Sequence, residues 1–267
     1  MSIFNNEGKG TIDVLSSLRK ISLPIYLARS DIRQRYRRSV LGPFWITIST
    51  GVMIATIGII FGTLFKSPMN EFLPFLTIGV VIWGYISTAI GEGTNVFVAS
   101  EGIIKQLPIP LFSHVIRLIA RNFIIFLHNL VIYPIVCLCV GKSIGICALL
   151  SIPGFFILTV NLMWIVLTIG IVCSRFRDLG QIVANLLQIA FYVTPIIWMP
   201  SALSKRSDLL ILEPNPVYHL MEIVRAPILG NLPSLTNWLV SIGLAILGWT
   251  IALFLFNKYK ERIAYWL

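Results

Sequence analysis

Charged side chains are scarce in this chain of 267 residues, of which only 12% are Asp, Glu, Lys or Arg. A soluble domain carries about a quarter, so the composition excludes an intrinsically disordered chain and a basic globular domain that binds nucleic acid. It also argues against an ordinary cytosolic enzyme. Hydrophobic residues account for 57% of the chain, and the mean hydropathy is +0.86. The composition therefore predicts a polytopic membrane protein.

Acidic residues are the scarcer charge: 11 Asp and Glu stand against 21 Lys and Arg, a net charge of +10. In a membrane protein, Lys and Arg chiefly mark the cytoplasmic side, so the excess must first be located along the chain. Cysteine is also rare, and all four cysteines lie in apolar runs without the spacing of a metal site. We interpret them as packing residues. The first 20 residues lack a signal-peptide pattern, so we expect the N-terminus to stay where it is made.

Catalytic signatures are absent from the sequence. The three histidines and the few carboxylates are dispersed, with no pairing that suggests a metal site, and no Gly-x-Ser-x-Gly motif occurs. Gly141-Lys142-Ser143 imitates the end of a phosphate-binding loop, but that loop needs a glycine where Val136 stands. We expect a chain that is not an enzyme, hydrolyses no nucleotide and holds no cofactor or metal.

Six apolar stretches have the length of about 20 residues that crosses a bilayer. They lie at about 44–65, 73–92, 118–140, 146–173, 181–198 and 235–256. An even number of spans puts both ends of the chain on one side of the membrane. That side would carry 16 of the 21 basic residues, so the positive-inside rule predicts that both termini are cytoplasmic.

Residues 22–40 have the pattern of an amphipathic helix that lies along the membrane surface. Ser22 can cap this helix, and Pro24 sits early, where its missing N–H costs nothing. The cations of the segment form a stripe at i, i+4 and i+8: Arg29, Arg33 and Arg37. Two interpretations stay open. The helix is either a topology anchor that binds anionic headgroups, or a helix that also receives a partner on the cytoplasmic face.

Two connections are unusual. The cytoplasmic loop contains a mixed polar and apolar helix over 97–107, ended by two prolines, which predicts a docking element or a structured connector. The segment 199–233 is too long for a plain connection, too charged to span the bilayer and too apolar for a solvated loop. We interpret it as two short re-entrant helices on the outer side. Asn215 would cap the second of them, and Glu222 and Arg225 would pair at i, i+3.

Three stripes of residues recur at helical spacing within the spans. Small residues follow one face of the first span (Gly51, Ala55, Gly58 and Gly62) and of the last (Ser241, Ala245, Gly248 and Ala252). Such faces let membrane helices pack closely. A polar stripe follows the fifth span: Gln181, Asn185, Gln188 and Tyr192. It either makes interhelical hydrogen bonds or forms the wall of a polar pathway, with aromatic side chains such as Trp83 and Tyr85 as stacking surfaces.

Five motifs together resemble a known family. They are DIRQRYRRSVLGPFW (31–45), PIP (108–110), RFRD (175–178), YVTP (192–195) and NPVYH (215–219). The chain resembles the ABC-2-type permeases that export polysaccharide, above all the O-antigen and capsule exporters, over about residues 20–260. The resemblance implies one transmembrane domain over 1–267, with the all-α architecture described above, in the bacterial cytoplasmic (inner) membrane.

The resemblance also implies partners and roles. Two copies of the chain would form a homodimer that pairs with two ATP-binding cassette subunits; ATP and Mg would bind those subunits, and the cargo would be a lipid-linked polysaccharide. Glu101 and Lys105 would dock the ATPase. The residues of the lipid-carrier gate would be Arg33, Arg35, Tyr36 and Arg37. The channel lining would comprise Gln181, Asn185, Gln188, Tyr192, Trp83 and Tyr85.

Three alternatives remain. A membrane enzyme acting on lipid-linked sugars would need clustered carboxylates or histidines, which the sequence does not offer. A secondary transporter would bury a charge near the midplane, whereas Glu92 falls at the end of the second span. An ABC-2 permease for another cargo, such as capsule, teichoic acid or a drug, would have the same sequence features.

Overall fold

The computed structural model describes residues 8–37, 42, 44–64, 68–200 and 210–267. Within these ranges the chain is built from helices and turns, without a strand. The helices are α1 Lys9–Arg19, α2 Ser22–Tyr36, α3 Phe44–Leu64, α4 Met69–Gly93, α5 Glu101–Gln106, α6 Phe112–Leu130, α7 Ile132–Val140, α8 Ser151–Arg175, α9 Leu179–Val193, α10 Pro216–Leu229 and α11 Leu235–Trp266. The all-α class predicted from the sequence is confirmed.

Five stretches of helix in the described residues are long and apolar enough to cross a membrane. They are α3, α4, the pair α6 and α7, α8 with the turn before it, and α11. These correspond to five of the six predicted spans. Their bounds differ most at α11, which runs ten residues beyond the predicted end at 256.

The predicted span over 181–198 is not confirmed as a regular helix. Its counterpart α9 has 15 residues and ends at Val193, so it rises about 22 Å, less than the hydrocarbon core of about 30 Å. The helix ends because Thr194 precedes Pro195, and a residue before proline is disfavoured in the helical region. Thr194 accordingly has an extended ψ of 136°.

Helix α4 lies at the centre of the bundle, and most of its side chains are buried. It packs against α3, α6, α7, α8, α9 and α10. Helix α3, in contrast, contacts mainly α4 and α6 and leaves large apolar side chains such as Val52 and Ile59 exposed. In the single chain, α3 and α9 therefore form the least covered part of the bundle.

The two stripes of small residues have different surroundings. In α11, Gly248 faces Trp164 so closely that a Cβ at this position would lie 2.0 Å from a ring carbon. The last span therefore uses its stripe to pack against α8 within the subunit. In α3, Gly58 and Gly62 receive side chains of α4, while Gly51 has open space around it.

The short helices α1 and α10 lie at opposite ends of the bundle, and each contacts one end of the long helix α11. Helix α1, which the sequence did not predict, contacts α6 and the last turns of α11, whereas α10 packs against α4, α8 and the start of α11. We call these two ends of the bundle the α1 end and the α10 end. The predicted helix over 22–40 is present as α2 as far as Tyr36, while 38–40 lie outside the described residues. Ser22 does not cap it, because α2 follows α1 through a tight turn and Ile21 is the residue before its first turn.

The predicted second helix of the 199–233 segment is α10. Asn215 caps it as expected, accepting hydrogen bonds from the amides of Val217 and Tyr218 at 3.0 and 3.3 Å. Gly230 ends it with a φ of +94°, a conformation that suits glycine. The first predicted helix of this segment rests on the apolar run 209–212. Of it, Leu210 and Ile211 are helical, whereas 201–209 lie outside the described residues. Helix α10 is mostly buried inside the bundle.

Candidate functional site

Charged side chains from α2, α4 and α6 meet in one network at the α1 end. Arg117 donates two hydrogen bonds to the carboxylate of Asp31, from Nε at 2.7 Å and from Nη2 at 2.5 Å. Arg121 donates to Glu92 at 2.5 Å and lies 3.4 Å from Asp31. Arg35 approaches Glu92 at 3.4 Å. Hydrogen bonds between guanidinium and carboxylate groups are strong and geometrically specific. This network therefore links α2 to the neighbouring spans α4 and α6.

The network borders a polar cavity of ≈ 310 Å³. His114 also lines it; its side chain is buried, and neither ring nitrogen has a hydrogen-bond partner among the described residues. Three arginines and two carboxylates leave the network with one excess positive charge. The cavity is large enough for water molecules, which would satisfy the unpaired polar groups.

Sequence reasoning missed most of this network. Asp31 and Glu92 are two of only 11 acidic residues, and Arg117 and Arg121 stand at i, i+4, which places them on one face of a helix. That i, i+4 pair of arginines at the start of an apolar span was the available signal. The pairing itself joins residues 29 to 90 positions apart, which no local pattern reveals.

The four residues predicted as a gate do not share one environment. Arg33 on α2 and Arg37 directly after its end are exposed, whereas Arg35 is engaged with Glu92 and lines the cavity. Tyr36 is half-buried, and its hydroxyl has no hydrogen-bond partner among the described residues. The opposite face of α2, at Pro24, Ala28 and Ile32, is buried. This face packs against α6; that α2 lies along the membrane surface stays a prediction.

The predicted docking helix over 97–107 consists of a 3-10 turn, Val98–Ser100, followed by α5. Glu101 and Lys105 form an i, i+4 ion pair of 2.7 Å, and both side chains are exposed. The hydrogen bond from Lys105 lowers the pKa of Glu101. The chain then becomes extended at Leu107, because prolines follow at 108 and 110. This exposed segment is open to a partner.

The polar stripe of α9 lies on the outside of the single chain. All four side chains, Gln181, Asn185, Gln188 and Tyr192, are exposed, and α9 buries none of its residues. Gln181 donates to Asn185 at 3.4 Å. In the part of the chain that the structure describes, no side chain of another helix hydrogen-bonds to the amides of this stripe. The polar side chains of the stripe are therefore free to contact a molecule other than this chain.

The two aromatic residues of α4 that were assigned to the channel lie in different places. Trp83 contacts Phe191 of α9, with ring centroids 5.8 Å apart. Tyr85 is buried among aromatic rings, stacked on Phe155 at 5.1 Å, with its hydroxyl 3.3 Å from Thr159. The structure brings Trp83 next to α9 and separates Tyr85 from the stripe.

At the α10 end, polar contacts stabilise the non-helical residues that follow α9. Arg225 is fully buried and donates to the carbonyl of Pro195 and to Glu222, so the predicted pair with Glu222 is present. The amide of Asn215 donates to Thr194 at 3.0 Å. His219 lies between Asn237 and the carbonyl of Glu213, at 2.8 Å from each. These bonds hold α9, α10 and α11 together.

The chain matches the model of the ABC-2 type transporter family over residues 25–229. It belongs to this family. A protein of Myxococcus xanthus called O-antigen export system permease protein RfbA is 25% identical over 212 residues, which are 76% of this chain and 79% of that protein. Two proteins of Klebsiella pneumoniae with the same name are 21% and 25% identical, each over 91% of this chain and 93% of the relative.

Family membership gives the geometry its context. Proteins of the ABC-2 type are transport permeases, so the five apolar helices are those of a membrane transporter. The network, the α5 segment and the polar stripe all lie inside the matched region, whereas α1 and α11 lie outside it. The described residues contain no group of three or more side chains suited to a metal ion.

Proposed function

We propose that this chain is the permease subunit of an exporter that moves a lipid-linked polysaccharide of the O-antigen type across the bacterial inner membrane. The proposal rests on membership of the ABC-2 family together with the names of three relatives that align over most of their length. ATP hydrolysis takes place on a separate ATPase subunit, which holds ATP and Mg; this chain carries neither. The structural observation that carries the proposal is the polar stripe left uncovered on α9.

The stripe forms part of the channel wall in a homodimer. Polar side chains facing hydrocarbon are costly unless they are paired or wetted, and sugar hydroxyls are suitable partners for exposed amides. Two copies of the chain that face each other through α3 and α9 would enclose the stripe and cover exposed apolar residues of α3. Trp83 is buried behind α9 and supports this wall by packing on Phe191. Tyr85, which is committed to the core, is left out of it.

Helix α9 and the residues after it make the sixth crossing. Arg175 at the end of α8 stacks over Trp266 at the end of α11, 5.5 Å from its ring, while α11 begins next to α10. The chain between α8 and α11 must therefore pass from one end of the bundle to the other, which supports a crossing by α9. With six crossings, and with Lys9 paired to Glu261, both termini lie on one side of the membrane. The positive-inside rule makes that side cytoplasmic, so α10 is re-entrant from outside.

The exposed cations on α2 and directly after its end receive the cargo. Arg33 and Arg37 form no ion pair with a described residue and are available to the diphosphate of the lipid carrier through charge-assisted hydrogen bonds. Arg35 acts differently, because through Glu92 it links the loading surface to α4 and α6. Tyr36 lies between Arg35 and Arg37 in the sequence. The exposed helix α5, with Glu101 and Lys105, docks the ATPase.

The stripe is tested by a triple variant, Gln181→Leu, Asn185→Leu and Gln188→Leu. We expect polysaccharide at the cell surface to fall about tenfold or more, since each lost hydrogen bond to a sugar in the channel costs about 1 kcal/mol. The matched control is Ile182→Leu, Leu186→Ile and Ile189→Leu, which changes equally exposed residues of the same helix and should export normally. Normal export by the stripe variant, at equal amounts of protein in the membrane, would contradict this function of α9.

A further inference from the structure

Helix α1 packs between the start of α6 and the last turns of α11. Its buried residues are polar or small: Gly10, Asp13, Val14 and Ser17. Ser17 meets Ser113 of α6 at 3.1 Å. Gly10 lies so close to α11 that a Cβ would be 2.8 Å from the backbone nitrogen of Asn257. Helix α1 is therefore held on both sides by elements far away in the sequence.

The carboxylate of Asp13 caps helix α6. It is almost fully buried and accepts hydrogen bonds from the amides of Leu111 and Phe112, at 3.1 and 2.9 Å. The first amides of a helix have no partner inside the helix, and a negative charge at this position is also favoured by the helix dipole. A side chain of α1 thus supplies the cap that α6 does not have in its own sequence.

The same carboxylate is tied to α11. Lys260 lies 2.9 Å from Asp13 and also donates to the carbonyl of Lys9 at 3.2 Å. One turn earlier on α11, Asn257 accepts hydrogen bonds from the amides of Gly10 and Thr11, at 2.7 and 3.0 Å. Because a buried charge must be paired and hydrogen-bonded, Asp13 fixes the positions of α6 and α11 relative to each other.

The segment between α5 and α6 is short and stiff. It consists of residues 107–111, and the two prolines in it have a fixed φ. A displacement of α5 therefore reaches the amides that Asp13 holds, without being absorbed by a flexible loop. From there it would pass to α6 directly and to α11 through Lys260, in addition to the direct contact between α5 and α11.

We propose that Asp13 is a positioning residue that couples the docking helix α5 to the membrane bundle. When the ATPase displaces α5, the contacts of Asp13 make α6 and α11 move as one unit instead of separately. This rests on the proposed function, because the movement of α5 is the one that the ATPase imposes. The coupling residue lies in a helix outside the matched family region.

The test uses the full transporter, with this chain and its ATPase, carrying Asp13→Asn. The variant keeps the size of the side chain but removes its charge and one of its two acceptor oxygens. We expect the complex to assemble and to hydrolyse ATP, while the polymer exported per ATP falls about tenfold, the size of a lost hydrogen bond to a charged group. Lys260→Gln, which keeps both amide contacts of Asp13, should change this ratio in the same direction but less.

Hydrogen exchange provides a readout independent of export. In Asp13→Asn the amides of Leu111 and Phe112 should exchange about tenfold faster, because their acceptor is weakened. The control is Lys9→Gln, which removes the exposed ion pair to Glu261 between α1 and α11 but no contact to α6. We expect wild-type exchange and a wild-type export ratio for this control.

The outcomes separate the two proposals. If the wild-type complex exports no polymer, the proposed function is wrong, and the coupling role is wrong with it. If the wild type exports but Asp13→Asn exports the same amount per ATP, only the coupling role is wrong. A parallel loss of assembled complex and of export, at an unchanged ratio, would also overturn the coupling role, since Asp13 would then only stabilise the fold.

Discussion

Arg225 shows how a single charged residue is accommodated inside the bundle. It is the largest of the fully buried side chains in the described residues, and its guanidinium lies 4.3 Å from the centre of the Phe75 ring. Glu222 neutralises it, and the carbonyl of Pro195 accepts a hydrogen bond from it. Since this carbonyl belongs to the break after α9, Arg225 stabilises an irregular segment that has no helix to satisfy its backbone.

Replacing Arg225 by Met should destabilise the subunit by about 3–5 kcal/mol, because Glu222 would remain as an unpaired charge that is largely buried. The measurement is the thermal unfolding of the purified subunit in detergent. The double variant Arg225→Met with Glu222→Gln should be more stable than the single variant, since no unpaired charge remains. Equal stability of Arg225→Met and the wild type would contradict this role for the ion pair.

At the scale of elements, the pairing of α8 with α11 depends on close approach. Gly248 faces the ring of Trp164, and Gly154 of α8 approaches the backbone carbonyl of Ile223 in α10 so closely that a Cβ would be 2.1 Å from its oxygen. Packing of small residues replaces the hydrophobic effect as the main source of helix association in a bilayer. These two contacts therefore set the positions of α10 and α11 on α8.

Gly248→Ala should destabilise the subunit by about 1–3 kcal/mol, the usual cost of overpacking a well-packed core. Gly243→Ala is a matched control in the same helix, because nothing lies within 4 Å of a Cβ at that position. It should be neutral or stabilising, since alanine favours helix over glycine by about 0.5–1 kcal/mol. Both are measured as shifts in thermal unfolding. Two variants of equal stability would show that the α8–α11 contact is not tight.

The elements that could be predicted are those with a local signal. A long apolar run is visible in any window of the sequence, so the spans that contain α3, α4, α6 with α7, and α8 were expected, although α6 begins at Phe112, six residues before the predicted start. The cap of α10 was also visible, because Asn215 and Pro216 are neighbours. The end of α9 at Val193 was missed, since the apolar run continues to 198 even though Pro195 interrupts the helix.

The elements that could not be predicted depend on distant polar partners. Helix α1 is short and polar, and its amides find their acceptor 247 positions away in Asn257. Helix α11 continues past the apolar run because Lys260 and Glu261 bind α1. The ion-pair network depends in the same way on contacts across the chain. Hydropathy and helical spacing report what a segment buries, but they do not report with which other segment it pairs.

At the scale of the whole molecule, both ends of the bundle are fixed by polar contacts, while its flank at α3 and α9 is uncovered. The α1 end has the ion-pair network and the contacts of Asp13; the α10 end has Arg225 and His219. An uncovered flank that includes a polar stripe is unsuited to lipid alone. This arrangement fits a half-transporter whose second copy completes the channel, and it underlies the proposed function.

The most direct test of export is a reconstitution. Proteoliposomes containing this chain and its ATPase are loaded on the ATPase side with a lipid-linked polysaccharide of the O-antigen type, and polymer reaching the opposite compartment is measured after ATP is added. We predict ATP-dependent transfer that requires both subunits and stops with a non-hydrolysable ATP analogue. Transfer by this chain without the ATPase, or ATP hydrolysis by the complete complex without any transfer of the polymer, would contradict the account.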